Sequence, residues 1–378
     1  MKISYVTTFD PTDIHYWSGL GYNIAKMLEG EQADIDYVSN VESKLKYPLK
    51  VKGLLYKKFL GKEFDINREP ILAKHYASMI QKRMAADSDI VFSPSTIPLS
   101  LLETKKPKVI YTDATFAGML GFYDSFSNYC KETIEHGNQL EQAALDSSQL
   151  IIYSSDWAAQ TAVDHYKVNP KKIKVVPFGA NISCDRTIND IRTIVSQRSS
   201  DTLDLLFLAV DWKRKGGDLA VRIAQALNDA GIKTKLHVVG IREFPFKQIP
   251  DFIVDHGYIS KSTPEGIAKL EGLFKQCHFL VLPSVADCTP VVYSEANSFG
   301  LPCITTNVGG IPTIIQNDVN GKVFPLTADA KEWSAYIANV FADKTVYTDL
   351  CFTSFAEYQN RLNWKVAGKT IMGLMKEL

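Results

Sequence analysis

Residues 283–313, PSVADCTPVVYSEANSFGLPCITTNVGGIPT, decide how the rest of this chain is read. The apolar run HFLVL before Pro283 is a short buried strand. Pro290 suits the first turn of a helix, Ser294-Glu295-Ala296 continue it, and Phe299-Gly300-Leu301-Pro302 end it with Gly and then Pro. Cys303-Ile304-Thr305-Thr306 is the next short strand, and Gly309-Gly310-Ile311-Pro312 a second tight turn. Strand, tight loop and helix in this order turn backbone N–H groups toward an anion. Asp287 and Glu295, eight positions apart, flank that anion site, where each can accept hydrogen bonds from sugar hydroxyls. Two acids at this spacing also occur by chance in α/β proteins, so the reading rests on the whole string. The ligand it fits is a diphosphate carrying a sugar at each end.

Outward from this stretch, short β-rich runs alternate with helical ones, the pattern of parallel α/β sheets. Strands are predicted at 3–7, 35–38, 90–93, 109–111, 150–153 and 173–176, with helices at 20–28, 71–86, 129–145 and 156–165. A polar stretch follows, and strands restart at 205–209, 236–239, 252–254, 279–282, 303–305 and 322–324. This gives two doubly wound domains, 1–183 and 204–360, a linker at 184–203 and a last helix within 361–378. In such sheets ligands bind outside the carboxyl ends of the strands.

A second anchor is LFLAVDWKRKGGDLAVRIAQAL, a strand, a short basic turn and an amphipathic helix opened by Gly216-Gly217. Arg214 and Lys215 stand at that helix start, where the dipole and free N–H groups favour anions. Lys215 supplies a point charge against a diphosphate and Arg214 a planar, bidentate one. A solvated basic turn is the alternative.

Residues 283–313 resemble the donor-site motif of the retaining family 4 glycosyltransferases, normally Glu, seven residues, Glu; here the first acid is Asp287. That family also carries a Lys-Gly turn, matched by Lys215-Gly216, with an Arg several residues upstream. Asp211-Trp212 occupies that place here, and the role passes to Arg214. The resemblance implies the GT-B fold, two Rossmann-like domains facing a cleft, with the last helix crossing back to the first domain. It implies transfer of a sugar from a nucleoside diphosphate sugar to a hydroxyl of a glycan or lipid-linked acceptor, with retention of configuration. The assignment that follows gives Glu295 the donor ribose, and Asp287, Cys288 and Thr289 the transferred sugar. Arg214, Lys215, Gly19, Thr289, Pro290 and Val291 take the diphosphate. Asp113, Asp287 and Lys215 serve the catalytic step, with Asp287 as a binding group and not a nucleophile.

Asp113 follows the predicted strand at 109–111 and faces the cleft; the family often has a His here. It orients an acceptor hydroxyl or supports charge near the anomeric carbon, or it caps the following helix. Gly19-x-Gly21 opens the first helix after His15-Tyr16-Trp17-Ser18, where small residues let backbone approach phosphate or sugar; a plain tight turn is the alternative. Two D-x-D strings, Asp34–Asp36 and Asp87–Asp89, lack a nearby nucleotide loop and are read as chance. No essential metal and no cofactor are expected, the nucleotide sugar being a co-substrate. Lys44–Lys62 holds seven lysines and no acid, interleaved with Leu, Tyr, Val and Phe. It reads as contact with an anionic membrane or acceptor, or else as a solvated loop flanking a helix.

Composition excludes several classes. Lys+Arg and Asp+Glu balance at 42 each, so no global charge recruits nucleic acid. Six cysteines without C-x-x-C or metal-ligand spacing suit reduced thiols in a cytoplasmic protein, at most peripheral to the inner membrane face. The first residues, MKISYVTTFDPTD, lack a signal peptide's apolar core, and no run of ~18 apolar residues spans a bilayer. Two rival readings stay open: a nucleotide-sugar epimerase of the same fold, and a non-catalytic sugar-binding partner subunit.

Overall fold

The computed structural model describes residues 1–378 and divides into two compact units, 1–177 with 364–378, and 178–363. In the first, β1 (Lys2–Val6), β2 (Asp34–Val38), β3 (Ile90–Ser93), β4 (Lys108–Thr112), β5 (Leu150–Tyr153) and β6 (Ile173–Val175) form one sheet, ordered β2-β1-β3-β4-β5-β6. In the second, β7 (Leu203–Leu208), β8 (Thr234–Val239), β9 (Ile253–Asp255), β10 (Phe279–Leu282), β11 (Cys303–Thr306) and β12 (Gly321–Phe324) are ordered β12-β11-β10-β7-β8-β9. All pairings are parallel. Every predicted strand is present. The inner ones, IVFS, LIIY and FLVL, are mainly apolar and buried along their length, as strands covered by helices on both faces must be.

Strand order places the sites. In each sheet the chain reverses direction of growth beside its first strand, between β1 and β3 and between β7 and β10. Loops leaving the carboxyl ends of such a strand pair run to opposite sides and open a crevice.

The last helix, Trp364–Met375, belongs to the first unit, where Gly368 meets the Leu20–Gly30 helix. A Cβ on Gly368 would stand 3.0 Å from Met27 Cγ, so the small residue sets that close approach. The stretch 184–203, expected as a linker, lies within the second unit and contains a helix, Ile188–Gln197. Thr187 and Asp190 cap it reciprocally, and Ile191 and Ile194 enter the core. The unit boundaries accordingly lie at 177/178 and 363/364. Polar composition concealed a helix whose apolar residues recur only on one side. The Lys-rich segment is likewise a helix, Lys46–Leu60, which admits Pro48 in its first turn, where no intrahelical N–H partner is required.

Candidate functional site

The crevice of the second sheet is built from the loops after β7 and β10, separated by some seventy positions in the chain and pressed together in space. Gly216 makes that contact possible. Its backbone is left-handed (φ 74°), and a Cβ there would lie 2.0 Å from the Pro283 carbonyl oxygen. The Val285 N–H donates to the Arg214 carbonyl at 2.8 Å, stitching the two loops. Asp211 caps the basic turn, accepting from the Arg214 N–H at 3.0 Å. Trp212, in the place of the family's Arg, is buried beneath Gly217 and donates to Asp218 at 2.8 Å.

Asp287 is thereby set among cations. Lys215 Nζ is bonded to Asp287 Oδ2, both side chains about nine-tenths buried. Arg214 Nη1 lies 3.4 Å from the same oxygen and 3.2 Å from the Ala286 carbonyl. The second tight turn joins in, the Gly310 N–H donating to the Asp287 carbonyl at 3.1 Å. Thr289 and Cys288 are buried beside it, with the Thr289 hydroxyl turned to the Cys288 carbonyl. Pro290 stands immediately before the Val291–Asn297 helix.

Glu295 sits on that helix with a separate partner. It is 1 % exposed, and Lys261 Nζ donates to both of its oxygens, at 2.7 and 2.6 Å. Each acid of the motif therefore carries a lysine from a different loop. The partnership with Lys261 had no signature in the chain, since 34 positions separate the two residues and no local pattern links them.

The first unit has its own cavity, about 370 Å³, at the carboxyl ends of β1, β3 and β4. Asp113 lines it, together with Thr96, Arg68 and Glu141, and with the aromatic rings of Phe9, Tyr16 and Trp17. Glu141 is almost wholly buried and accepts from Arg68 at 3.3 Å and Thr96 at 2.5 Å. Gly19 (φ 79°) ends a turn in which Trp17 and Ser18 also take left-handed backbone, at φ 49° and 54°. Non-glycine residues adopt that conformation at a cost of about 1–2 kcal/mol each, so the turn is held by its surroundings.

Both D-x-D strings lie at the amino ends of strands, opposite the ligand edge. Lys2 Nζ pairs with Asp87 at 2.8 Å, its N–H donates to Asp89 at 2.8 Å, and Asp36 accepts from the Ala85 N–H at 2.9 Å. A further group, Glu69, Glu132 and His136, has metal-ligand spacing. The Lys52 ammonium stands within it, 2.6 Å from Glu132 and 3.7 Å from Glu69.

The family profile of glycosyl transferases group 1 matches residues 192–351. A D-inositol 3-phosphate glycosyltransferase of Geodermatophilus obscurus is 28 % identical over 217 residues, 53 % of this chain and 47 % of that protein. The chain spans about half the length of the curated relatives it matches. Among solved structures, sucrose-phosphate synthase from Thermosynechococcus elongatus aligns over 100 % of this chain and 98 % of its own, with TM-score 0.66 and 14 % identity. HepE of Anabaena in complex with UDP aligns over 100 % of both chains, with TM-score 0.66 and 16 % identity. The two Rossmann-like units and the returning helix are those of the GT-B fold. Residues 192–351 are thus similar to the group 1 glycosyl transferases, within a chain whose fold is GT-B.

Proposed function

We propose that this protein transfers a sugar from a nucleoside diphosphate sugar to a hydroxyl of a glycan or lipid-linked acceptor, with retention and without a metal. One observation carries the reading. At the switch point of the second sheet two buried acids, Asp287 and Glu295, each hold a lysine, and Arg214 and Lys215 stand at a helix start beside them. A donor fits with its diphosphate on Lys215 and Arg214, its ribose on Glu295 and its sugar on Asp287. HepE, of the same fold, has been solved with UDP-glucose. As the bond from the anomeric carbon to the diphosphate oxygen breaks, charge grows on the leaving group, and the two cations offset it. The acceptor oxygen bonds to the anomeric carbon on the same face, and its proton passes to the departing diphosphate.

The test is binding of uridine, guanosine and adenosine diphosphates by calorimetry. Glu295→Gln keeps the shape but weakens an acceptor for ribose hydroxyls, which are bonded in ground and transition states alike. It is expected to raise the donor KM by roughly tenfold with little change in kcat. If no nucleoside diphosphate binds the unmodified protein, the donor site is misplaced.

Metal independence has a direct check. Turnover is expected to survive excess EDTA; loss restored by Mn²⁺ or Mg²⁺ reverses this reading.

The Lys46–Leu60 helix supports contact with an anionic membrane or lipid-linked acceptor. Its inner face is tied down, with Lys52 and Tyr56 bonded to Glu132 at 2.6 and 2.8 Å. Its outer face leaves Tyr47, Val51 and Leu54 more than half exposed, fringed by Lys50, Lys57 and Lys58 with no acid on the helix. Apolar side chains at the acyl boundary with lysines at the headgroups match an anionic bilayer. Replacing Lys50, Lys57 and Lys58 by Ser is expected to weaken binding to phosphatidylserine vesicles by about 1 kcal/mol per charge. Turnover on a soluble acceptor should hold. Absence of vesicle binding by the unmodified protein identifies a solvated helix instead.

A further inference from the structure

Lys261 reaches Glu295 from the far edge of the second sheet. Its turn, 257–263, follows β9 and is pinned at several points. The Gly257 carbonyl accepts from the Gly240 N–H at 2.8 Å, and the Gly257 N–H donates to Asp255 at 2.8 Å. Ser260 and Ser262 share a hydroxyl bond of 2.8 Å, and Thr263 caps the Pro264–Gln276 helix that follows. A Cβ on Gly266 would lie 1.9 Å from the Ser260 carbonyl oxygen, so the turn rests directly on that helix. The backbone is thus fixed while the side chain, 43 % exposed, spans the opening to a carboxylate that is 1 % exposed. The other pair of the site is different: Lys215 and Asp287 are both buried.

A buried carboxylate with an exposed ammonium over it presents acceptors and donors side by side. Each hydroxyl of a vicinal diol is both a donor and an acceptor. We propose that Lys261 is a specificity-determining residue that reads the 2′,3′-diol of the donor ribose jointly with Glu295. The carboxylate accepts from the hydroxyl hydrogens, and the ammonium, moving outward on its flexible stem, donates to a hydroxyl oxygen. This rests on the assignment of Glu295 to the ribose. A site built on paired polar groups rejects an analogue lacking the matching hydroxyls, because its own groups are then left unpaired.

The experiment compares a ribonucleoside diphosphate with its 2′,3′-dideoxy analogue, using UDP and dideoxy-UDP, or the GDP or ADP pair if that nucleotide binds more tightly. Dissociation constants are measured by calorimetry for the unmodified protein, Lys261→Met and Lys261→Arg. The unmodified protein should prefer the ribonucleotide. Lys261→Met should lose about tenfold of that preference while holding the dideoxy analogue as before, and Lys261→Arg should restore most of it. A merely structural role would weaken both nucleotides equally and leave their ratio unchanged, which overturns the proposal. A ratio that rises in Lys261→Met also overturns it, since Lys261 would then be a competitor that the diol displaces. Failure of the ribose assignment looks different: the unmodified protein itself would bind no nucleotide, or bind ribo and dideoxy forms alike.

Discussion

Lys215→Ala is expected to lower the turnover number as well as donor affinity. The lysine is held at the start of the Gly217–Asp229 helix by the left-handed Gly216, with its ammonium on Asp287. A diphosphate entering there adds charge that increases as the sugar departs, so the contact is stronger in the transition state than in the ground state. Loss of a hydrogen-bonded charge costs about 1.5–3 kcal/mol, on the order of 10- to 150-fold in rate. The variant also leaves Asp287, 6 % exposed, with Arg214 as its remaining cation at 3.4 Å, which works against binding of an anion. Single-turnover kinetics separate the chemical step from binding, and circular dichroism verifies the fold. An unmodified turnover number and donor affinity in this variant would remove Lys215 from the mechanism.

The largest effect on stability is expected from Arg198→Met. Arg198 lies just beyond the Ile188–Gln197 helix, is 8 % exposed, and bonds to carbonyls, a hydroxyl and a thiol. Its guanidinium donates to the carbonyls of Lys275, Gly300 and Phe299 at 3.1–3.2 Å, to that of Phe274 at 3.4 Å and to the Tyr347 hydroxyl at 2.8 Å. These carbonyls end the Pro264–Gln276 helix and the segment after Asn297, where helix C-termini carry unsatisfied acceptors and partial negative charge. Methionine fills much of the volume but leaves several buried acceptors without donors, at about 1–3 kcal/mol for each. A loss of about 3 kcal/mol lowers the melting temperature of a unit of this size by roughly 6–12 °C. Scanning calorimetry reads the shift, and a variant melting within a degree of the unmodified protein would show that water replaces the guanidinium. Because these carbonyls back the helix that bears Glu295, nucleotide affinity should decline as the second unit loosens.

The alternating strands and helices were legible because parallel strands buried on both faces are short apolar runs that little else in a chain imitates. Asp287 and Glu295 were legible because their spacing is local, fixed by one loop and one helix start. The Lys215-Gly216 turn was found for the same reason, with its glycine explained afterwards by the Pro283 carbonyl behind it. The helix at 188–197 was hidden, since Ile191 and Ile194 recur on one face amid polar neighbours and acquire meaning only against a core. The outward apolar face of the Lys46–Leu60 helix was hidden too, because which side is covered depends on where Glu132 and Phe64 come to rest.

Local spacing thus settled the fold class and the strand list, and singled out the two acids and the basic turn that the proposal assigns to the donor. Which groups meet was settled by folding. Lys215 and Asp287 are 72 positions apart, and Lys261 and Glu295 34, so no periodicity or motif links them. The strand order β9-β8-β7-β10 puts the loops after β7 and β10 at one crevice and carries the turn after β9 to its rim. Pairing charges in a buried place needs long-range closure of the chain, and that is decided by the packing of the whole sheet and its helices.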